Sequence, residues 1–421
     1  MKEQQLRKRN FISLTLEGTF FLTALAFLDA NAVVPVFIDT FTGSLQLAGL
    51  ATTLRTALSM LTQLLSGPYV PKIKNVPAYI LWIMFLFRPL PFIMVPVLLG
   101  NLNPFLTVGI FLAIYGLFWA SDGLVVIPWS DLLGRTIPAN KRGKLMGYQQ
   151  VTGGIAALGA GFLIKMILAH PNLENLVKYA IIFSGAGVSL MISSIMMSFA
   201  RDLPRKLSKE KVSFKRYFSQ MPHYLLKNRD FASLTVIRII YSFIGMVSPF
   251  IILFGKSAFQ LSPSQVSNLI YIQIIGNLLG GLLWGTVSHR WGNKYVILIA
   301  QLIGAFIPIL AFTSLIFNGL ILPIFFLWPM TLLTGINMGS WMGFLNYTID
   351  IVKEEERPIY LVLGNLTTFP LTFLPYLAGS IADRWGFLPL FLISLLAAAA
   401  GTVLSMRLNT PQISSSEESG H

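Results

Sequence analysis

Long apolar runs separated by short polar clusters recur along the whole chain. About twelve of them reach 20 residues or more, enough to cross a bilayer core as helices at about 1.5 Å per residue. They lie near 11–38, 45–66, 76–99, 104–128, 146–168 and 177–199, then near 231–255, 264–287, 295–317, 320–349, 360–382 and 387–406. We number them spans 1 to 12. The longest polar break, 200–230, divides six spans from six. The expected organisation is therefore a tail 1–10, a bundle 11–199, a basic linker 200–230, a second bundle 231–406 and a tail 407–421. The segment NTPQISSSEESG holds too few apolar residues to pack and reads as disordered. The start, MKEQQLRKRN, runs into span 1 without a small-residue cleavage site, as an uncleaved first span would. In the linker, KRYFSQMPHYLLK fits a helix lying on the membrane surface or a solvated segment equally well.

Composition agrees with a polytopic membrane protein. Hydrophobic residues make up 54% and charged residues 11%, with mean hydropathy +0.69, against about 25% charged in soluble domains. The net charge of +14 is sharply placed. Alternate loops carry Arg7, Lys8 and Arg9, then Lys72 and Lys74, then Arg135, Lys141, Arg142 and Lys144, then the linker, Arg290 and Lys294, and Lys353 and Arg357. The intervening loops (DTFTGS, GNLNPF, SLIFNGL) carry almost none. The positive-inside bias puts the basic loops and both termini in the cytoplasm. Their charge then faces anionic lipid headgroups, and no nucleic-acid partner is needed to explain it. The chain has no cysteine, which excludes disulfides and thiolate metal sites.

Charges inside the apolar runs are costly, at about 2.5–3.5 kcal/mol for an isolated group at a helix centre. Counting from the loops at about 1.5 Å per residue puts Asp29, Arg55 and Arg88 at one depth, with Asp122 nearer the cytoplasm. Asp29 is expected to be held by Arg55 or Arg88. Two readings stay open: a static ionic cluster joining spans 1–4, or an Asp29 that exchanges a proton during a working cycle. Glu17 and Arg238 occupy comparable depths in spans 1 and 7, which allows them to pair across the halves. Arg238 alternatively meets an anionic substrate or snorkels. Four cations in spans (Arg55, Arg88, Lys165, Arg238) against three acids (Glu17, Asp29, Asp122) lean toward an anionic or zwitterionic solute.

The halves repeat. GPYVPKIK from Gly67 is echoed by GTVSHRWGNK from Gly285, and PANKRGK by KEEERPIY, with Arg142 and Arg357 in corresponding loops. Such a parallel repeat builds a two-bundle transporter with its site at the interface. Here the chain resembles the major facilitator superfamily over roughly residues 10–406. The family's loop signature, Gly-x-x-x-Asp-Arg/Lys-x-Gly-x-Arg/Lys, is matched by Gly285, Arg290, Gly292 and Lys294, with His289 at the acid position. The first copy keeps Gly67, Lys72 and Lys74, with Pro71 at the acid. A similar string, GSIADRWG, closes span 11 with Asp383 and Arg384.

The resemblance implies an all-α fold of twelve transmembrane helices in two six-helix bundles related by a pseudo-twofold axis. It further implies that the signature loops latch the cytoplasmic side, that spans 1, 4, 7 and 10 line a central cavity, and that spans 2, 5, 8 and 11 flank it. Polar and aromatic residues on those spans become cavity candidates: Asn31, Tyr115, Trp119, Arg238, Ser242, Gln273, Asn277, Asn337, Trp341, Asn365, Thr368 and Thr372. Span 5 lacks the Gly-Pro motif of drug/proton antiporters, and span 4 lacks the arginine of many proton-coupled members.

Enzyme signatures are missing. The histidines (His170, His223, His289, His421) fall in loops or the tail without metal-ligand spacing, FGKS at 254–257 has Phe250 where a P-loop needs glycine, and no Gly-x-Ser-x-Gly turn occurs. The expectation is a monomeric secondary transporter of a small organic solute, without cofactor or metal, coupled to protons through Asp29. An uncoupled facilitator and a non-transporting receptor of the same fold are the alternatives.

Overall fold

The computed structural model describes residues 2–66, 69, 72–202, 224, 227–353 and 356–409. Gly67, most of the expected linker with its candidate surface helix, and the tail from 410 lie outside the described residues. The N-terminal half holds span 1 (Lys2–Phe27 and Val33–Thr42), span 2 (Leu45–Ser66), span 3 (Val76–Phe87 and Leu90–Leu99), span 4 (Pro104–Thr136), span 5 (Ala139–Ala169) and span 6 (Asn175–Ser198). The C-terminal half holds span 7 (Arg229–Gly245 and Ile251–Phe259), span 8 (Pro263–Trp291), span 9 (Asn293–Ile316), span 10 (Ile324–Met338 and Trp341–Asp350), span 11 (Arg357–Thr368 and Leu374–Trp385) and span 12 (Leu388–Met406).

Several helices outrun their apolar stretches. Span 1 begins at Lys2 rather than near 11, and span 4 continues to Thr136, with span 5 starting at Ala139. Polar helix ends stand in water or headgroups, where hydropathy gives no signal of their length. The short turn between spans 4 and 5 is held by Arg142, whose Nε donates to the Ile137 carbonyl at 3.0 Å and whose other arm reaches Gly134. At the same end of the C-terminal half, Lys227 binds Glu356 at 2.6 Å, and that hydrogen bond holds the lysine above its ordinary range.

Ten helices among the described residues are long and apolar enough to cross a membrane by themselves. The other two passes fall short for informative reasons. Span 2 carries Thr52, Thr53, Arg55, Thr56, Ser59 and Gln63, which lower its hydropathy. Span 10 is interrupted at Gly339–Ser340, so neither piece spans alone. Both passes turn out to be cavity walls.

Spans 1, 3, 7, 10 and 11 all break part-way. Pro35, Pro91, Pro249, Pro370 and Pro375 sit at or just past four of these breaks, each lacking the N–H that a continuous helix would use. In lipid the freed groups need partners. Thr52 of span 2 donates to the Ala30 carbonyl at 2.9 Å and Tyr115 of span 4 to the Leu28 carbonyl at 3.4 Å, so neighbouring spans serve the break in span 1.

Within each half the spans pack as one bundle. In the first, Phe37 lies 4.8 to 5.1 Å from the rings of Phe111, Tyr179 and Phe183. In the second, spans 8 and 10 touch backbone to backbone: Gly276 faces the Leu332 carbonyl and Gly335 the Gln273 carbonyl. Small residues are what let helices associate this closely where lipid supplies no hydrophobic drive. A methyl group at either position meets main chain that cannot turn aside. Gly335→Val is therefore expected to lower the melting temperature of the detergent-purified protein by several degrees, while Gly285→Val, beside open space, leaves it near wild type.

Candidate substrate cavity

A cavity lies between the halves. Its larger chamber, about 600 Å³, is walled by spans 2, 4, 7, 10 and 11, with Arg55, Gln63, Trp119, Arg238, Trp341 and Asn365 among its lining residues. A second chamber of about 410 Å³ shares Arg55, Ser242, Trp341 and Thr368, and adds Asn31, Asn337 and Thr372 from deeper in the protein. Met60 and Gln63 of span 2, Val126 of span 4 and Leu361 of span 11 carry the larger chamber toward the end that holds the basic loops.

The opposite end is sealed. There Asp39 of span 1 meets Lys256 of span 7 at 2.6 Å. Asp383, at the end of span 11, accepts the main-chain N–H groups of Leu45 and Gln46 at 2.9 Å each. A carboxylate at a helix start satisfies unpaired N–H groups and suits the helix dipole, and here it ties one half to the other. Close packing supports it, since Gly49 lies against the Pro375 carbonyl and Gly379 against the backbone of Leu45 and Gln46. The GSIADRWG string, similar to the cytoplasmic loop signature, thus works at the end poor in basic loops.

At the basic end, the signature residues hold no hydrogen bond across the halves among the described residues. Arg142 serves its own turn, Lys72 lies 5.7 Å from the Tyr69 ring, and the Arg357 Nε is buried without an acceptor. Gly292 provides the positive φ (+91°) that ends span 8. Lys74, Gly285, Arg290 and Lys294 stand in the same loops.

The intramembrane charges pair differently from expectation. Arg88 binds Glu17 at 3.1 Å, both nearly fully buried. Ser193 receives the other arm of Arg88 at 2.6 Å and itself donates to the Glu17 carbonyl at 2.7 Å, and Trp129 donates to the second Glu17 oxygen at 3.1 Å. Spans 1, 3, 4 and 6 are joined by this network. Glu17 therefore does not reach Arg238, and Arg88 does not hold Asp29. Asp122 lies in span 4 without an ion pair among the described residues, in the electrostatic field of Arg88, Glu17 and Arg55.

Asp29 makes no ion pair within 4 Å with either expected arginine. Its carboxylate accepts the Asn31 N–H at 2.9 Å, an Asx turn within the break of span 1. It also accepts from the Gln273 amide of span 8 at 3.4 Å, a contact between the halves. Asp29, Arg55, Gln150 and Asn277 share a side pocket of about 90 Å³. Arg55 itself stacks over the Trp119 ring, 4.6 Å from its centroid. Asn31 points its amide at the Met338 sulfur, 3.6 Å away in span 10.

Most cavity candidates therefore line one chamber or another. Tyr115 and Gln273 are the exceptions. Tyr115 is buried in the aromatic cluster, stacked 5.3 Å from Phe111. Gln273 is buried at the Asp29 contact. The stripe Thr52, Thr56, Ser59, Gln63 was not among the candidates, although its spacing of four, three and four residues draws one polar face along span 2. Tyr241, which donates to or accepts from Ser340 at 2.6 Å, was likewise not singled out as a wall residue.

Residues 234–421 match the family model described as Major Facilitator Superfamily. The structure is similar to the D-xylose-proton symporter, with TM-score 0.74 and 14% identity over 96% of this chain and 98% of that one. The C-terminal half thus matches the superfamily's sequence model, and the whole chain shares the fold of that solved transporter. Other superfamily folds agree. The inward open xylose transporter XylE from E. coli gives TM-score 0.69 at 14% identity over 96% and 97% of the two chains. A bacterial homolog of the human lysosomal transporter Spinster, in an inward-facing and occupied conformation, gives 0.65 at 16% over 96% and 97%. Uncharacterized proteins of Mycobacterium bovis and Mycobacterium tuberculosis are 22% identical over 218 residues, 47% of this chain and 38% of theirs. The chain thus spans well under half the length of these curated relatives.

Breaking the Glu17–Arg88 pair leaves a buried charge uncompensated, at a cost of about 3–5 kcal/mol. Arg88→Ala is expected to lower stability on that scale in a reversible unfolding assay. The double variant Glu17→Gln with Arg88→Gln should recover a large part of the loss, and no recovery would mean that the two side chains act separately.

Proposed function

We propose that this protein is a secondary transporter that moves a small organic solute by alternating access, and that the structure is its inward-facing state. The carrying observation is the cavity itself, which reaches mid-depth between two homologous bundles, open toward the basic loops and sealed at the opposite end. The positive-inside bias makes the open end cytoplasmic, in a cell membrane whose anionic lipids meet the basic loops. The seal at Asp39–Lys256 and Asp383 is what must part for the other state to form. No cofactor is required for such a cycle, and a monomer contains both halves of the gate.

Coupling to protons is assigned to Asp29. Its carboxylate stands at the break of span 1, free of a direct ion pair, and holds Gln273 of the opposite half. Protonation would weaken the acceptor that Asn31 and Gln273 share, and so loosen a contact between the halves at the depth of the cavity. Glu17, held by Arg88, Ser193 and Trp129 within its own bundle, is the static charge.

Thermal unfolding of the purified protein between pH 5 and 8, wild type beside Asp29→Asn, against panels of organic anions, cations and neutral solutes tests both parts. At least one solute class is expected to raise the melting temperature, with a pH dependence that disappears in Asp29→Asn. If Asp29→Asn melts early at every pH and the solute effect is unchanged, Asp29 is only a structural acceptor, and the protein is an uncoupled facilitator. If no solute class stabilises it at any pH, the transport reading loses its support.

A further inference from the structure

We infer that the cavity takes an organic oxyanion, a carboxylate, sulfonate or phosphate on an apolar or aromatic body, held between Arg55 of span 2 and Arg238 of span 7. The inference rests on the transport reading and names its substrate class. Both guanidinium groups line the larger chamber, one from each half of the protein. No Asp or Glu lines either chamber. Of the three acids singled out in the first half, Glu17 is bound to Arg88, Asp29 stands in the side pocket that Arg55 also lines, without an ion pair to it, and Asp122 lines neither chamber.

What holds the two arginines also leaves their charge unspent. Arg55 lies over the face of Trp119 at 4.6 Å, a contact that orients a cation without neutralising it. Arg238 fits against Gly364, where a side chain on span 11 would collide with its guanidinium, and it has no hydrogen-bond acceptor or carboxylate in contact among the described residues. A guanidinium presents paired donors matched to an oxyanion. Two of them across a low-dielectric cleft focus a positive potential and concentrate anions. The rest of the chamber suits the remainder of such a molecule, with Trp341, Phe344 and Met60 beside Ser59, Asn365 and Thr368. Because the arginines belong to opposite halves, an anion bridging them would draw the open end together.

The absence of native cysteine allows a direct test that needs no identified substrate. Ser242→Cys, between the two chambers, is labelled with sulfonatoethyl, trimethylammonioethyl and methyl methanethiosulfonate in phosphatidylcholine vesicles free of anionic lipid. Leu320→Cys, in the exposed loop between spans 9 and 10, is the reference. The sulfonate-to-ammonium rate ratio at Ser242→Cys is expected to exceed that at Leu320→Cys by about tenfold or more. It should fall toward the reference when Arg55→Gln and Arg238→Gln are added, with the neutral reagent reacting at its former rate to show that the cavity is intact. Benzoate or phenyl phosphate should slow the labelling, and benzylamine should not. If the neutral reagent enters but the sulfonate gains nothing over the ammonium, the oxyanion inference is overturned while the transport reading stands. If no reagent reaches Ser242→Cys, the cavity is closed to water, and both fall.

Discussion

A helix that breaks inside a bilayer must find partners for the backbone groups it frees, and that requirement organises this protein. Span 1 breaks at residues 28–32 and is repaired by Thr52 from span 2 and Tyr115 from span 4. The Asp29 carboxylate takes up the Asn31 N–H within the break. Because lipid offers no donors or acceptors, such breaks survive only where they face protein or a watered cleft. The breaks in spans 1, 7, 10 and 11 therefore cluster around the cavity. The same breaks give the walls local freedom to bend, which a continuous helix would resist.

Two kinds of charge follow from this arrangement. Glu17 and Arg88, with Ser193 and Trp129, form a closed network inside one bundle, and its members have few unmet hydrogen-bonding needs. Arg55 and Arg238 face the cleft without acids in contact. The first kind ties spans 1, 3, 4 and 6 of the N-terminal half together. The second puts two guanidinium groups on the cleft wall, one from each half. Gates are built from a third element, carboxylates used across the halves: Asp39 to Lys256 and Asp383 to the start of span 2. Among the described residues such ties occur at the end poor in basic loops, and the signature residues at the other end make no hydrogen bond across the halves.

The twelve passes and the two-bundle plan were legible because lipid demands long apolar helices and the duplication repeats their spacing. Depth was legible in part: Asp29 and Arg55 share the side pocket, whereas Arg88 meets Glu17, twelve residues before Asp29 on span 1. Pairing was not. A partner depends on the rotation of each helix about its axis, and the break at residues 28–32 resets that phase between Glu17 and Asp29. The break in span 10 has no proline to announce it; Gly339 and Ser340 simply turn. The polar stripe of span 2 was readable at helical spacing but was eclipsed by Arg55, the single charge within it. Helix ends beyond the apolar runs, such as Lys2 and Thr136, leave no hydropathy trace.

The central claim is that the two ends of the cavity open and close as one rocking motion of the halves. Spin labels on cysteines at Leu102 and Leu320 report the sealed end, and labels at Lys141 and Lys353 report the basic end. Gly379→Trp drives a wedge into the contact with Leu45 and Gln46. Electron–electron distance measurements should then show the first pair moving apart and the second pair drawing together. A sealed end that opens while the Lys141–Lys353 distance stays unchanged would contradict the account.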